Sequence, residues 1–493
     1  MNSLPQTETA VSADALVSMG RTPGAFVLAL DGEAGAAALL RCHETVRALP
    51  GRRLVCRGEW QGQDVYIKLY FDGLKYWQAE CRGLQALANN HIAAPIVLYR
   101  GTADRAALHV IVLATIQPAV TLDAALIQAA DEAARTALLQ RAVACIAAHH
   151  RAGLQQRDIH LNNFLLCAEQ LYTLDGGGIH DAGVPDLPVQ PSCDNLALFF
   201  AELYPDDDVL IDALLPVYLQ RRSWGSEVLP ATQLYARVQY FRDRRLRRFL
   251  KKVFRDCSAF KCEQSWRAYR VYDRSMASAE MVEFLADPDA SLLRTDAQTL
   301  KQGHTCTLWT TVIDGRKMVV KRYNIKSLTH RFGRALRPTR AAVSWRNAHR
   351  LGMYGILTGR PVALVEERFG PLRGRAWYLS EFVAGEAASS LCDPDTTGES
   401  VRTAAGQQLT HLLAQLALSG LSHGDMKASN FILSQQGAVV IDLDAMQRHV
   451  APQSFQRAQR RDLARFMRNW EDCPETKAMF TEMIRDKNLV TES

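Results

Sequence analysis

One sparse pattern occurs twice in this chain at the same spacing. Arg157-Asp158-Ile159-His160-Leu161-Asn162-Asn163 leads to Leu174-Asp175-Gly176, and Gly424-Asp425-Met426-Lys427-Ala428-Ser429-Asn430 leads to Ile441-Asp442-Leu443. In each, an Asp is followed five positions later by an Asn and twelve positions after that by a second Asp, and all three recur at a common offset of 267 residues. An isolated Asp-x4-Asn is far more often a turn or a helix cap than a reactive pair. Two copies in register reverse that balance. Carboxylate, amide and second carboxylate form the set that orients a hydroxyl and holds Mg²⁺ against ATP. The chemistry implied is phosphoryl transfer, in a chain built twice.

The repeat has the period of a domain, not of a solenoid. A strand-like segment ending in lysine leads each copy: Val65-Tyr66-Ile67-Lys68 and Met318-Val319-Val320-Lys321. Their alternation and β-branching predict strands. Helices are expected next, over Tyr76 to Asn89 and Ala341 to Leu351, followed by short strands near Ile92 and Ile356. Apolar strands, Val110 to Leu113 and Trp377 to Leu379, each precede a linker. Long Ala/Leu-rich helices, Leu122 to Arg151 and Thr403 to Gly420, run up to the Asp-to-Asn loops. The expected architecture is α+β, with a small strand lobe, a linker and a helical lobe appearing twice. A polar segment 1–24 precedes a first domain over 25–256, a linker region over 257–287 and a second domain over 288–493.

A length of 493 residues is too great for one ordinary core and suits two domains. Apolar residues at 48% and charged residues at 22% are the proportions of a folded, soluble chain. Net charge is only +6, but its distribution is uneven. From Arg316 to Arg350 there are eleven Lys or Arg and no Asp or Glu, and Tyr240 to Asp256 is similarly rich in arginine. Such runs suit phosphates or an anionic membrane surface. No nucleic-acid recognition module accompanies them, so nucleic acid is not an expected partner. The apolar side of Phe241 to Phe254 is more commonly used to pack on a core, the alternative being an interfacial helix.

The eleven cysteines show no CxxC and no metal spacing, which reads as reduced thiols in a reducing compartment. Met1 to Pro23 lacks the basic start and apolar core of a secretory signal, and no run of eighteen apolar residues exists. A cytoplasmic protein, peripheral to a membrane at most, is the expectation.

Phosphoryl transfer needs a lysine on the ATP phosphates, an acid at the acceptor hydroxyl and metal ligands. In the first copy these are Lys68, Asp158, and Asn163 with Asp175. Glu80, twelve residues past Lys68 on the expected helix, would hold the lysine, although a solvated helix face is the competing reading. In the second copy they are Lys321, Asp425, and Asn430 with Asp442, and Lys427 would add positive charge at the transferring phosphate. His160 stands at that position in the first copy.

These motifs resemble those of the protein-kinase-like superfamily. The wording of the loops, His423-Gly424-Asp425-Met426-Lys427-Ala428-Ser429-Asn430-Phe431-Ile432-Leu433 and Asp158-Ile159-His160-Leu161-Asn162-Asn163-Phe164-Leu165-Leu166, is similar to that of the bacterial lipopolysaccharide core kinases. The resemblance implies two tandem kinase-like domains, ATP and Mg²⁺ as cofactors, and a Kdo or heptose sugar of the lipopolysaccharide core glycolipid as acceptor. It further implies work at the cytoplasmic face of the inner membrane, with peripheral contact to its anionic surface. Cys193-Asp194-Asn195-Leu196-Ala197 and Arg461-Asp462-Leu463-Ala464 look like the helix whose Asp braces the catalytic loop, only 19 and 20 residues past the metal Asp. Protein kinases place a longer segment there, ending in Ala-Pro-Glu, and neither copy has it. A sugar or small acceptor is favoured over a protein.

Three departures qualify the pattern. Neither copy has GxGxxG; Gly58 with Gly62, and Gly303, are poor substitutes. No acid lies between Lys321 and Glu366, so Lys321 would be held otherwise, through Ser344 or Asn347. Gly176-Gly177-Gly178 makes the first metal loop look loose. One half serving as a pseudokinase scaffold is therefore the alternative, with a protein acceptor behind it.

Overall fold

The strand that carries Lys68 runs Gln63–Tyr70 and buries Val65, Ile67 and Leu69 on one face while Tyr66 and Lys68 look to the other. That is the period-two alternation of a pleated strand with one covered face. The computed structural model describes residues 10–71, 73–294, 296–324, 337–392 and 398–489. It divides into two compact units, Met1–Leu203 with Asp207–Arg242, and Tyr204–Asp206 with Asp243–Ser493.

In the first unit a short helix α1 (Ala13–Ser18) precedes a six-stranded antiparallel sheet. Its strands are β1 (Phe26–Ala29), β2 (Leu39–Leu49), β3 (Arg53–Trp60), β4 (Gln63–Tyr70), β5 (Val97–Ala103) and β6 (Leu108–Ala114), in the order β1-β2-β3-β4-β6-β5. Helix α2 (Leu74–Asn89) lies between β4 and β5 in the chain. The expected long helix is split into α3 (Leu122–Gln128) and α4 (Glu132–Arg151), because Asp131 caps Ala134 N and starts a new helix. Short pairings then frame the loops. β7 (Val120–Thr121), β9 (Phe164–Cys167) and β10 (Gln170–Thr173) form one small sheet, and β8 (Leu154–Gln156) pairs with β11 (Ile179–Asp181). The loop from Asp158 to Asn163 is thereby held between β8 and β9, and Asp175 between β10 and β11. Helices α5 (Val189–Phe200), α6 (Ile211–Arg222) and α7 (Ala231–Lys252) complete the count, and α4, α5 and α6 share one apolar core.

The second unit also combines an antiparallel sheet with helices. β12 (Phe260–Gln264), β13 (Ala268–Asp273), β14 (Gln298–Gln302), β15 (Cys306–Ile313), β16 (Arg316–Tyr323), β17 (Pro361–Phe369) and β18 (Leu372–Glu381) form a seven-stranded sheet in the order β12-β13-β17-β18-β16-β15-β14. Helices α8 (Ala279–Ala286), α9 (Pro288–Arg294) and α10 (Arg340–Met353) flank it in sequence. β19 (Glu386–Ala387) leads to helix α11 (Glu399–Leu418). β20 (Leu421–Ser422), β21 (Phe431–Ser434), β22 (Gly437–Val440) and β23 (Gln447–Arg448) frame the second loop pair. Helices α12 (Pro452–Met467) and α13 (Pro474–Asp486) follow.

Two expectations need correction here. The stretch 257–287 is no free linker: β12 and β13 pair with each other and β13 pairs with β17, so both belong to the second sheet. The division between units falls inside α7 instead. Leu246 of that helix and Val253 just past its end are buried in the second unit's core, with Phe249, Leu250 and Phe254 packed against it. Its apolar stripe is spent on packing. The cysteines are also not all free, since Cys392 and Cys473, 81 residues apart, form a disulfide. Part of the basic run Arg316 to Arg350, residues 325–336, lies outside the described residues. Among the described residues no helix is long and apolar enough to cross a membrane.

Candidate active site

In the first unit, pleat alternation turns Lys68 of β4 toward the cleft, where Glu80 of α2 meets it. Lys68 Nζ lies 2.5 Å from Glu80 Oε1 and 3.5 Å from Asp175 Oδ1. Glu80 is only 1% exposed, so the solvated-face reading fails for it. Both its oxygens are used, Oε1 accepting from Gly176 N at 3.2 Å and Oε2 from Gly177 N at 2.9 Å. Burial pushes the Glu80 carboxyl up, against the opposing charge of Lys68. Burial would likewise raise Asp175, but Lys68 holds it below its ordinary value.

Gly176 of the glycine triplet has a steric cause, since a Cβ there would come 2.7 Å from Glu80 O. A Cβ on Gly83 would come 1.8 Å from Gly176 O, so α2 and the loop touch backbone to backbone. The loop that carries Asp175 is packed tightly against α2 rather than loose. Gly58 is similarly a packing residue of β3, where a Cβ would sit 1.9 Å from Arg41 O. It has no part in a phosphate loop.

Asn163 Nδ2 donates to the Asp158 carbonyl at 2.8 Å. That fixes which end of the amide faces away, leaving Oδ1 for a ligand. The His160 ring sits between Asp158 Oδ1 and Glu202 Oε2, 3.1 Å from each. Its hydrogen bonds to these two carboxylates push the imidazole up to about 10. The same contact lowers Asp158. Asp158 therefore faces a fixed cation. A cleft of about 630 Å³ is lined by Lys68, Asn163 and Asp175 together with apolar Val55, Leu113 and Leu165.

The second unit assembles the same types differently. Lys321 Nζ of β16 is 2.5 Å from Asp442 Oδ1 and 3.6 Å from Asp444 Oδ2. Arg340, the first residue of α10, reaches the same Asp444 oxygen at 2.6 Å. Neither Ser344 nor Asn347 holds the lysine. Ser344 Oγ bonds Tyr323 at 2.9 Å, and Asn347 Nδ2 donates to the carbonyls of Leu443 and Met446 at 2.9 and 3.0 Å. Asp444 is the residue that sequence reasoning missed; the offset of 267 sets it against Gly177 and offered no hint of a carboxylate. Burial would raise Asp442, and the charge of Lys321 overrides it.

Asn430 Nδ2 donates to the Asp425 carbonyl at 2.9 Å, as Asn163 does to Asp158. Lys427 Nζ is 2.7 Å from Asp425 Oδ2. A cleft of about 400 Å³ is lined by Lys321, Asn430 and Asp442 with Val319, Leu308 and Tyr378.

Behind each loop stands a brace, and here one expectation shifts by a residue. Asp462 of α12 accepts from His423 N at 2.6 Å and Gly424 N at 3.0 Å. In the first unit Asp194 turns instead to Arg237, 2.7 Å away. Asn195 does the bracing, accepting from Gln156 N at 3.3 Å and donating to Gln156 O at 2.7 Å. The offset of 267 pairs Asn195 with Asp462 and would have found it. His149 and His150 are structural, buried on α4 against Thr173 and Tyr218, and burial lowers them to about 4 and about 3.

Among the described residues no group of three or more His, Cys, Asp or Glu side chains is placed to hold a metal by itself. Mg²⁺ does not need one, since it keeps several waters and takes one or two carboxylates plus substrate phosphates. Asp175 with the free amide oxygen of Asn163, and Asp442 with that of Asn430, fit that requirement.

Comparison with known proteins bears on the second unit. Residues 292–486 match the model of the lipopolysaccharide kinase (Kdo/WaaP) family. No curated protein matches the chain. Among solved structures, WaaP in complex with acyl carrier protein is 19% identical, with a TM-score of 0.31, covering 41% of this chain and 87% of that one. The Mycobacterium tuberculosis PknI kinase domain is 16% identical, with a TM-score of 0.26, covering 35% and 76%. Lys321, Asp425, Asn430 and Asp442 all fall within the residues 292–486 that match the family model.

Proposed function

We propose that this chain transfers the γ-phosphate of ATP to a sugar hydroxyl, a Kdo or heptose of the lipopolysaccharide inner core, at the cytoplasmic face of the inner membrane. The observation that carries the proposal is the convergence of Lys321, Asp442, Asn430 and Asp425 inside the family-matched segment. In this reading the chain holds two kinase-like domains in tandem, and Lys68, Asp158, Asn163 and Asp175 form the second constellation.

Each residue has a role that its surroundings support. Lys321 and Lys68 bind phosphate oxygens, and Asp444 and Glu80 keep the two ammonium groups in place. Asp425 and Asp158 orient the acceptor hydroxyl and take its proton late, when the bond to phosphorus is largely formed. Lys427 and His160 add positive charge beside the transferring phosphate. Asn430 with Asp442, and Asn163 with Asp175, would hold Mg²⁺. When bound, Mg²⁺ would supply charge that neutralises the phosphate oxygens. Positioning and charge neutralisation account for most of the acceleration.

A sugar acceptor is favoured because each brace residue follows its metal Asp by only 20 residues, Asn195 after Asp175 and Asp462 after Asp442. Little chain remains to build a ledge for a peptide. A second reading, one half as a scaffold, draws on the fact that the first constellation lies outside the matched residues. Transfer of labelled γ-phosphate to purified lipopolysaccharide core, against a protein acceptor as control, tests the assignment. Label in the glycolipid supports it; label only in protein, or none despite ATP binding, overturns it.

A further inference from the structure

The roof of the first unit's cleft carries more cations than Lys68. The hairpin β2–β3 directly precedes the lysine strand, where a kinase would carry a glycine-rich loop over the phosphates, and this chain has none there. Strand register sets Arg47 opposite Val55, and Val55 opposite Lys68, in one row across three strands. Arg53 lies two residues from Val55 along β3 and so projects from the same face. The intervening Leu54 and Cys56 are buried on the opposite side. Arg47, Arg53 and Lys68 accordingly line one cleft with Asn163 and Asp175.

Neither arginine is committed elsewhere by an ion pair. Arg57, the next cation on this face, is paired with Asp64 at 3.5 Å, whereas among the described residues Arg47 and Arg53 have no carboxylate within ion-pair distance. Their charges nonetheless reach the reactive end of the cleft, Arg47 acting on Asp158 and Arg53 on Asp175. Two guanidiniums on one sheet face, with no carboxylate partner, repel unless an anion comes between them.

We infer that Arg47 and Arg53 bind the polyphosphate of a nucleoside triphosphate in the first unit, doing with guanidinium forks what a glycine-rich loop does with backbone amides. The inference rests on the kinase reading of that unit and names phosphate contacts beyond its lysine. A guanidinium offers paired donors and full charge to phosphate oxygens. The apolar Val55, Leu113 and Leu165 remain for the base. Among the described residues, the second unit's cleft is lined by one comparable cation besides Lys321, Lys301 of β14.

The test uses the full chain carrying Lys321→Met and Asp442→Asn, so that the first cleft alone keeps its lysine and metal Asp. ATP and adenosine binding are measured by calorimetry at two salt concentrations, with and without Arg47→Gln and Arg53→Gln together. The expected result is an ATP Kd raised at least about tenfold and a weaker salt dependence, with the adenosine Kd within about twofold. Unchanged ATP affinity overturns the inference while leaving the first unit a nucleotide binder. Equal weakening of ATP and adenosine overturns it too, because phosphate contacts cannot act on a ligand without phosphate. No ATP binding even with both arginines present overturns the kinase reading of the first unit, and the inference with it.

Discussion

Asp444 stands 3.6 Å from Lys321 and supplies the second unit with the carboxylate that helix α10 lacks. In the first unit that carboxylate is Glu80, carried by α2. The two solutions differ in where the acid is anchored. Glu80 ties helix to lysine directly, whereas Asp444 rides on the loop and is itself tied to α10 through Arg340. The helix still contributes to lysine placement, with its charge reversed.

Removing Asp444 therefore leaves Lys321 with Asp442 alone and takes away the carboxylate that Arg340 is paired with. Asp444→Ala should raise the KM for ATP about tenfold or more, with a smaller fall in kcat, the signature of a lost ground-state contact. Arg340→Ala should act in the same direction and add little in the double variant, since both act through one carboxylate. Strictly additive effects in steady-state kinetics would show that the pair does not work as a unit.

The His160 clamp on Asp158 sets a pH window. The imidazole is raised to about 10, above an unfolded value near 6.5. A raised cationic group contributes stability that is full below the unfolded value and disappears as pH climbs through the folded one. An NMR titration should find His160 still protonated at pH 8, and His160→Gln should remove the first unit's loss of stability between pH 7 and 10. A His160 that titrates near 6.5 would contradict the clamp.

The braces predict a reciprocal failure. Asp462 faces two N–H donors, so Asp462→Asn would turn an amide donor toward one of them. Asn195 faces one N–H and one carbonyl of Gln156, so Asn195→Asp would set a buried carboxylate against an acceptor. Each near-isosteric change should cost about 1–3 kcal/mol in chemical denaturation, because it leaves a buried polar group unsatisfied. A neutral outcome for either would mean that the loop relaxes around it.

Thiol chemistry offers an independent check. With Cys392 and Cys473 joined, denatured but unreduced protein should show nine reactive thiols out of eleven. Closing an 81-residue separation makes Cys392→Ser cost the second unit up to about 4 kcal/mol. Eleven reactive thiols without reductant would exclude the bond.

Much of this arrangement was legible in sequence because it is local or periodic. Spacing alone singled out Asp158, Asn163, Asp175 and their counterparts, which the structure brings together with Lys68 and Lys321, and alternation marked both lysine segments as strands. What escaped depends on contacts between distant segments. β13 reads as linker until β17 pairs with it, the Cys392–Cys473 bond spans 81 residues, and Asp444 is one more loop acid until α10 brings Arg340. The glycine triplet reads as slack unless Gly83 is known to press against it. Asn195 is a different case. The offset of 267 pairs it with Asp462, whereas the motif wording favours the neighbouring acid, Asp194.

The most direct measurement is phosphoryl transfer to purified lipopolysaccharide core by the intact chain, by Asp158→Asn, by Asp425→Asn and by the double variant, all with Mg·ATP. If both halves work, each single variant should keep part of the transfer, label should appear at two positions, and the double variant should fall by about 10³-fold or more. Full loss in Asp425→Asn alone would make the first unit a scaffold. Full transfer by the double variant would contradict the account, since the two residues at its centre would then carry nothing.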